Sequence, residues 1–319
     1  MKIAPREAYG RALVELGREN DDIVVLDADV AKASMTSLFK EAFPDRFFDL
    51  GIAESDIMAT GAGFALAGKI PFVNAYANFL LGNGWEQLRL SICYSRQNVK
   101  IVGHNIGASS GKDGPTHLPL EDIALARVIP GLLVLEPADA IETRKATRAL
   151  AAYAGPAYMR VGRMPTPVVT REDDPFVLGR ANICRPGQDV TIVACGCMTA
   201  KALEAAAELA ARGLEAEVIN LHTIKPLDEE ILLASARKTR AVATAEEHSV
   251  CGGMGGAVAE FLAARCPVPV RAIGSQDIFG ICASYEDIQE FFGMTSAKIV
   301  EEAETACAMR DGRPAAPRC

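Results

Sequence analysis

Gly51-Ile52-Ala53-Glu54 sets a single carboxylate between an apolar run and a stretch rich in Ala and Gly. In α/β proteins, ligands bind at the carboxyl ends of parallel strands, so an acid here can exchange a proton with a bound group. Apolar surroundings would raise its pKa and help it hold that proton. An acid in a first helical turn is also favoured by the helix dipole, whatever its chemistry. Shortly downstream, Phe72-Val73-Asn74-Ala75-Tyr76-Ala77-Asn78-Phe79 brings Tyr76 and Phe79 close together. They offer a wall for a flat heterocycle, or ordinary core packing. Next comes the glycine-rich loop Gly111-Lys112-Asp113-Gly114-Pro115-Thr116-His117, with His104 just upstream; two of the four histidines fall here. Imidazoles in such a loop can bind a hydroxyl or carbonyl and relay protons near neutral pH, or simply anchor the loop. Asp113 can accept a hydrogen bond from a hydroxyl or cap the turn before Gly114.

Further candidates follow from position. Arg160 and Arg163 come after an apolar run, where a guanidinium can grip a phosphate in a fork or stand solvated at a domain junction. Asp29 closes Asp27-Ala28-Asp29 and is placed to meet a cofactor or partner domain, or to cap the helix that follows. Ser34 shares that location as a substrate candidate. Gly252, Gly253, Gly255 and Gly256 open a helix and can cradle an anion, but their spacing matches neither GxGxxG nor a P-loop.

The elements that must hold these residues alternate. Apolar periodicity predicts helices over 6–18, 34–43, 55–67, 83–95, 120–127 and 138–153. Short apolar runs predict strands over 23–26, 47–50, 72–75, 99–102, 132–135 and 157–161. Such alternation implies a parallel sheet covered by helices. The segment 162–175 carries Pro165, Pro167 and Pro175 with no apolar period, and reads as a linker. A second α/β pattern follows, with strands over 190–194, 216–220, 241–245 and 268–273 and helices over 199–212, 228–237, 253–265 and 285–291. The expected organisation is one α/β domain over 1–164, a linker over 165–176, a second α/β domain with a mostly parallel sheet over 177–309, and a disordered tail over 310–319.

Composition excludes several classes. Formal charge is −8 without a basic stripe, which argues against a nucleic-acid surface. No apolar run approaches membrane-spanning length, and the N-terminus has no secretory h-region. Nine cysteines are scattered without a CxxC pair, and read as reduced thiols of a cytoplasmic protein.

With these residues in view, the chain resembles the C-terminal portion of transketolase: a pyrimidine-binding domain followed by the transketolase C-terminal domain. The resemblance rests on LDADV, GIAES, the aromatic stretch, KDGPTHLPLEDIALARVIPG with EPADA, IKPLDEE, and the EEH to GGMGG loop. It is strongest to the second subunit of small two-subunit transketolases. It implies thiamine diphosphate as cofactor, with Glu54 facing N1′ of the aminopyrimidine and Phe79 and Tyr76 against that ring. It implies His117 and Asp113 on the substrate side and Arg160 on the substrate's phosphate; His104 as a catalytic histidine, Ser34 toward substrate and Asp29 near the cofactor are candidates by their position alone. Ungapped counting from Asp113 puts the family's upstream loop histidine at Asn105 rather than His104, and Lys112 stands where the family often has an acid.

The family's diphosphate motif, GDG followed by a distant Asn, is missing from these residues. The resemblance therefore implies that Mg²⁺ (or Ca²⁺) and the diphosphate are held by an N-terminal-type partner subunit in an α2β2 assembly, with self-association through the C-terminal domain and no metal ligands in this chain. The implied reaction moves a two-carbon ketol unit between sugar phosphates. Rival readings are the β subunit of a 2-oxoacid dehydrogenase E1 component, a 1-deoxyxylulose-phosphate synthase-like enzyme, and a non-catalytic scaffold subunit.

Overall fold

A computed structural model describes residues 1–312; the tail expected over 310–319 lies mostly outside the described residues. The apolar runs become two stacked systems of strands. The first sheet has seven strands, in the order Thr223–Lys225, Leu133–Leu135, Ala157–Val161, Lys100–His104, Ile70–Tyr76, Ile23–Asp27, Phe47–Asp49. All pair in parallel except the edge strand Thr223–Lys225. The second sheet has five strands, in the order Val270–Ser275, Val242–Ser249, Val190–Ala194, Ala216–Asn220, Asn182–Arg185, the last antiparallel. Burial on both faces explains why Ile23–Asp27, Ala157–Val161 and Val190–Ala194 read as largely apolar runs, broken only by Asp27, Arg160 and Thr191.

Three expectations change. The helix expected over 34–43 is two short helices, Ala31–Ser34 and Ser37–Ala42, broken at Met35 with φ +66°. The cause is Asp27, whose buried carboxylate accepts from Ser34 Oγ at 3.2 Å, Thr36 Oγ1 at 2.7 Å and the Val30 amide at 2.6 Å. These side-chain bonds compete with helix continuation. The turn packs so closely on Gly10 that a Cβ there would lie 2.5 Å from the Met35 carbonyl oxygen. The helix expected over 83–95 instead starts at Ala77, ends at Asn83, and resumes after Gly84. A Cβ on Gly84 would stand 2.7 Å from Leu80 O and 3.1 Å from Glu54 O, so only glycine admits this approach. The linker is not wholly irregular: Thr166–Pro167 pairs antiparallel with Lys2–Ile3. Sequence periodicity also missed the Ser296–Arg310 helix, whose first turn Thr295 caps through Lys298 N–H.

What fixes one sheet against the other is polar and buried. Arg160 is 1% exposed. Its Nε and Nη2 donate to Asp122 at 2.7 and 3.0 Å, its Nη1 to Glu136 at 2.7 Å, and Nη2 also to the carbonyls of Pro119 and Glu247. Burial, the largest single influence, works to lower its pKa, but the Asp122 and Glu136 charges together raise it well above the ordinary value. His248, from the second sheet, donates through Nδ1 to Ser249 O, which leaves Nε2 to accept from the Ile123 and Ala124 amides that open the Asp122–Arg127 helix. Glu246 accepts from the Met254 and Gly255 amides at 2.6 and 2.8 Å, so the glycine loop does cradle an anion, namely the chain's own carboxylate. Removing one partner of a buried ion pair strands the other, at a cost of about 3–5 kcal/mol. Arg160→Met is therefore expected to lower the unfolding midpoint in urea by that equivalent, while Arg163→Met leaves it within about 0.5 kcal/mol; equal midpoints for the two variants would contradict this assignment.

Candidate active site

The carboxyl ends of the first sheet hold most of the reactive candidates. Gly51, at φ +73°, turns the chain after Phe47–Asp49 and delivers Glu54 as the first residue of the Glu54–Leu66 helix. Glu54 is 7% exposed, and Asn83 Nδ2 approaches its Oε2 at 3.4 Å. Asn83 ends the Ala77–Asn83 helix, and Phe79 lies one turn before it on the same face. One short helix thus carries the Glu54 contact and the aromatic wall. Tyr76 closes the strand ahead of it, and both rings are half-buried. His117 meets them edge-on, with centroids 5.1 Å from Phe79 at 88° and 6.1 Å from Tyr76 at 69°.

Residues 105–117 form the loop that brings His117 there. Asn105, Gly107, Gly111 and Gly114 all take positive φ, and Ser110 Oγ donates to the carbonyls of Asn105 (3.1 Å) and His117. Asn78 Nδ2 donates to Thr116 O at 2.7 Å, and Thr116 Oγ1 sits 2.9 Å from His117 Nδ1. The second domain buttresses the loop, with Cys282 Sγ on the Lys112 carbonyl at 2.9 Å. A cleft runs between this loop and Ala283–Glu286, with Lys112, Asp113 and Arg163 along it. Arg163 Nη1 donates to Asp113 Oδ2 at 3.0 Å, both partly exposed.

Glu54, Tyr76, Phe79, His117 and Asp113 therefore stand along one rim. Other candidates are placed otherwise. Arg160, expected on a phosphate, is sealed in the interdomain core with its donors taken up by Asp122, Glu136 and two carbonyls; it lies within the buried strand Ala157–Val161, whereas Arg163 lies beyond its end. Ser34 is fully buried with its hydroxyl on Asp27, Thr36 and Val30 O, so it offers no group to substrate. Asp29 is exposed on a left-handed turn, its amide on Asp49 Oδ1 at 3.2 Å. His104 is 1% exposed, with Nε2 3.1 Å from Asn74 Oδ1, and burial, with the nearby Arg6 charge second, lowers its pKa to about 3. Burial thus opposes a charge on this imidazole near neutral pH.

Sequence reasoning missed Arg6, Tyr9, Asn74 and Asn78. Among the described residues, the buried polar atoms without a partner include His104 Nδ1, both side-chain polar atoms of Asn105, Asn78 Oδ1 and Arg6 Nε. Asn74 was the readable signal, a polar residue in the buried, otherwise apolar interior of its strand. Asn78 and Asn105 belong to the helix and loop of this rim, and their unpartnered polar atoms fit a polar ligand there. For the pyrimidine end of a thiamine cofactor, Glu54, Tyr76 and Phe79 supply an acid and an aromatic wall. Among the described residues no group of three His, Cys, Asp or Glu is placed to hold a metal ion, and no helix is long and apolar enough to cross a membrane.

Two stacked α/β units with this rim define the second half of a transketolase. Residues 1–168 match the transketolase pyrimidine-binding domain and residues 179–299 the transketolase C-terminal domain, and the chain belongs to the transketolase family. It is 44% identical over 298 residues to the 6-deoxy-6-sulfo-D-fructose transketolase subunit SqwH of Clostridium sp. (strain MSTE9), covering 93% of this chain and 92% of that one. It is 38% identical over 302 residues to an apulose-4-phosphate transketolase subunit of Phocaeicola vulgatus, covering 94% and 96%. A solved split-gene transketolase, described as an inactive β4 tetramer, superposes with a TM-score of 0.89 at 46% identity over 97% of this chain and all of that one.

Asp27 yields a prediction. Burial, the largest cause, raises its pKa from 3.8 to about 6 against the hydrogen bonds of Thr36, Val30 and Ser34. Between those values the folded chain binds a proton that the unfolded chain has released, so this contribution is full below pH 3.8 and is lost as pH rises through about 6. Asp27→Asn is expected to shrink the stability difference between pH 4 and pH 8 by on the order of 2–3 kcal/mol, read from urea titrations at the two pH values. An unchanged difference would remove Asp27 from the pH dependence.

Proposed function

We propose that this chain is the pyrimidine-binding subunit of a two-subunit, thiamine diphosphate-dependent transketolase that moves a two-carbon ketol unit between sugar phosphates. The observation that carries this is the buried Glu54 carboxylate beside the half-open wall of Phe79, Tyr76 and His117. When bound, thiamine diphosphate supplies the nucleophilic carbon and the electron sink. Glu54 shares a proton with N1′ of the aminopyrimidine and so sets that ring's tautomer. Phe79 and Tyr76 bound the ring, and the wall keeps water from its face. His117, held by Thr116 and the loop bonds of Ser110 and Asn78, exchanges protons with substrate oxygens at the rim. Asp113 accepts from a substrate hydroxyl, and Arg163, rather than the buried Arg160, grips the substrate's anionic end. Asp29, exposed on its left-handed turn, contacts the cofactor or the partner.

The relatives named as subunits support a partner, and a β4 assembly of a related chain described as inactive supports its necessity. In this reading the partner holds the diphosphate and its Mg²⁺ or Ca²⁺ through oxygen ligands, in a cytoplasmic α2β2 complex joined partly through the C-terminal domains. The test is co-expression with a diphosphate-binding subunit and an assay of ketol transfer from ketose phosphates, with pyruvate as an alternative donor. Glu54→Gln is expected to lose about 10²–10⁴-fold in turnover without loss of assembly. Full turnover by that variant, ketol transfer by this chain alone, or turnover of pyruvate in place of a ketose would each overturn the proposal.

A further inference from the structure

A cavity of about 530 Å³ opens at the amino ends of the first sheet, within the roughly 300–1,000 Å³ of small-molecule sites. Three entry turns form it: residues 89–96 ahead of Lys100–His104, 129–131 ahead of Leu133–Leu135, and 153–156 ahead of Ala157–Val161. The rim of Glu54 and His117 stands at the opposite ends of the strands, about 15 Å away along a five-residue strand.

The cavity is basic and aromatic. Arg89 and Arg96 line it, both exposed, and among the described residues neither guanidinium has a hydrogen-bond or ion-pair partner. No acid among the described residues lines it with them. Two lysines behind its walls also lack carboxylate partners. Lys100 Nζ donates to Asn98 Oδ1, to Tyr153 O and, at 2.8 Å, to Gly155 O, and Lys225 Nζ donates to the carbonyls of Arg127 and Ile129. In a chain of net charge −8, this is a local field of the opposite sign. Tyr94, 83% exposed, and the half-buried Tyr153 add ring faces, and the buried Cys93 and Ile129 add apolar surface.

Arg96 is also an unusual choice for its place. It follows the helical segment ending at Tyr94, its amide on Cys93 O at 3.1 Å and the Gln97 amide on Ile92 O at 2.8 Å. That paired closure puts Arg96 at φ +54°, where glycine is the usual residue. The backbone pays for an arginine here, and no contact of its guanidinium among the described residues repays it.

We propose that this cavity binds a nucleoside diphosphate. Arg89 and Arg96 hold the phosphates, because a guanidinium forks onto phosphate oxygens. The base lies against Tyr94 and Tyr153, which offer flat faces to a flat ring. The inference does not depend on the transketolase reading, since none of these residues belongs to the rim.

The test is calorimetric titration of the full chain at low ionic strength with three probes: ADP, pyrophosphate and adenosine. ADP is expected to bind more tightly than either fragment and to weaken with added salt. Arg89→Ala is expected to weaken ADP about tenfold. Arg96→Gly is expected to do the same without lowering the unfolding midpoint in urea, because the backbone there suits glycine; that separates loss of the side chain from damage to the fold. Tyr94→Ala is expected to weaken ADP about fivefold and to leave pyrophosphate unchanged. Arg163→Met, at the cleft beside the rim, is expected to leave ADP affinity unchanged. No detectable ADP binding, or full affinity in Arg89→Ala and Arg96→Gly, would overturn the proposal. Pyrophosphate binding as tightly as ADP would overturn it by reducing the cavity to an anion site. Loss of ADP binding in Arg163→Met would overturn it by moving the ligand to the other cleft. Ketol transfer enters none of these readouts, so failure of the functional reading leaves them standing.

Discussion

A lone guanidinium among buried acids is the constraint on which the rest of this structure turns. Among the described residues, Arg160 is the sole basic side chain hydrogen-bonded to Asp122 or Glu136, and it spans from the first sheet to the carbonyl of Glu247 in the second. Charges this far from water are tolerated only in paired, hydrogen-bonded arrangements, and such arrangements admit little sliding. Around the pair, other buried acids are answered by backbone and amide donors. Glu246 has two amides, Glu142 has Asn220 and the Ala138 amide, and Glu247 has Gln289. The polar seam therefore sets how the second domain presses on residues 105–117, and hence where His117 meets Phe79 and Tyr76.

Much of this was legible from sequence. Buried parallel strands announced themselves as apolar runs, and most of the strands expected from those runs appear within a few residues of their expected limits. What escaped were elements set by tertiary polar contacts. Nothing in the apolar period reveals that Asp27 draws in Ser34 and Thr36 and splits a helix, because the deciding atoms are hydroxyls. Gly84 was visible as a glycine, but its reason lies on the neighbouring Glu54 helix. The edge strand Thr223–Lys225 was hidden by its shortness and by joining the other domain's sheet.

The site divides the same way. Glu54, Phe79 and His117, to which motifs and loop chemistry pointed, are linked in space through Asn83 and the Phe79–His117 ring contact. Arg160 was read as a phosphate ligand because residue type was weighed without strand geometry: it lies inside a strand buried on both faces, with its donors taken by Asp122 and Glu136. His104 and His117 show how one residue type diverges with environment. Both flank the same loop, yet His104 is enclosed and held neutral while His117 remains partly open to solvent. The loop itself is secured by side chains on backbone carbonyls, which steady the rim without adding charge to it.

The pairing of Thr223–Lys225 with Leu133–Leu135 crosses the division between the two family domains. A pyrimidine-type domain severed from its companion would leave a row of bare amides and carbonyls along Leu133–Leu135, a template for any passing strand. Recombination that swaps one half for a homologue's must preserve this suture or expose that edge. The inheritable unit is accordingly the pair of domains, and the chain's subunit relatives carry both halves over nearly their whole length.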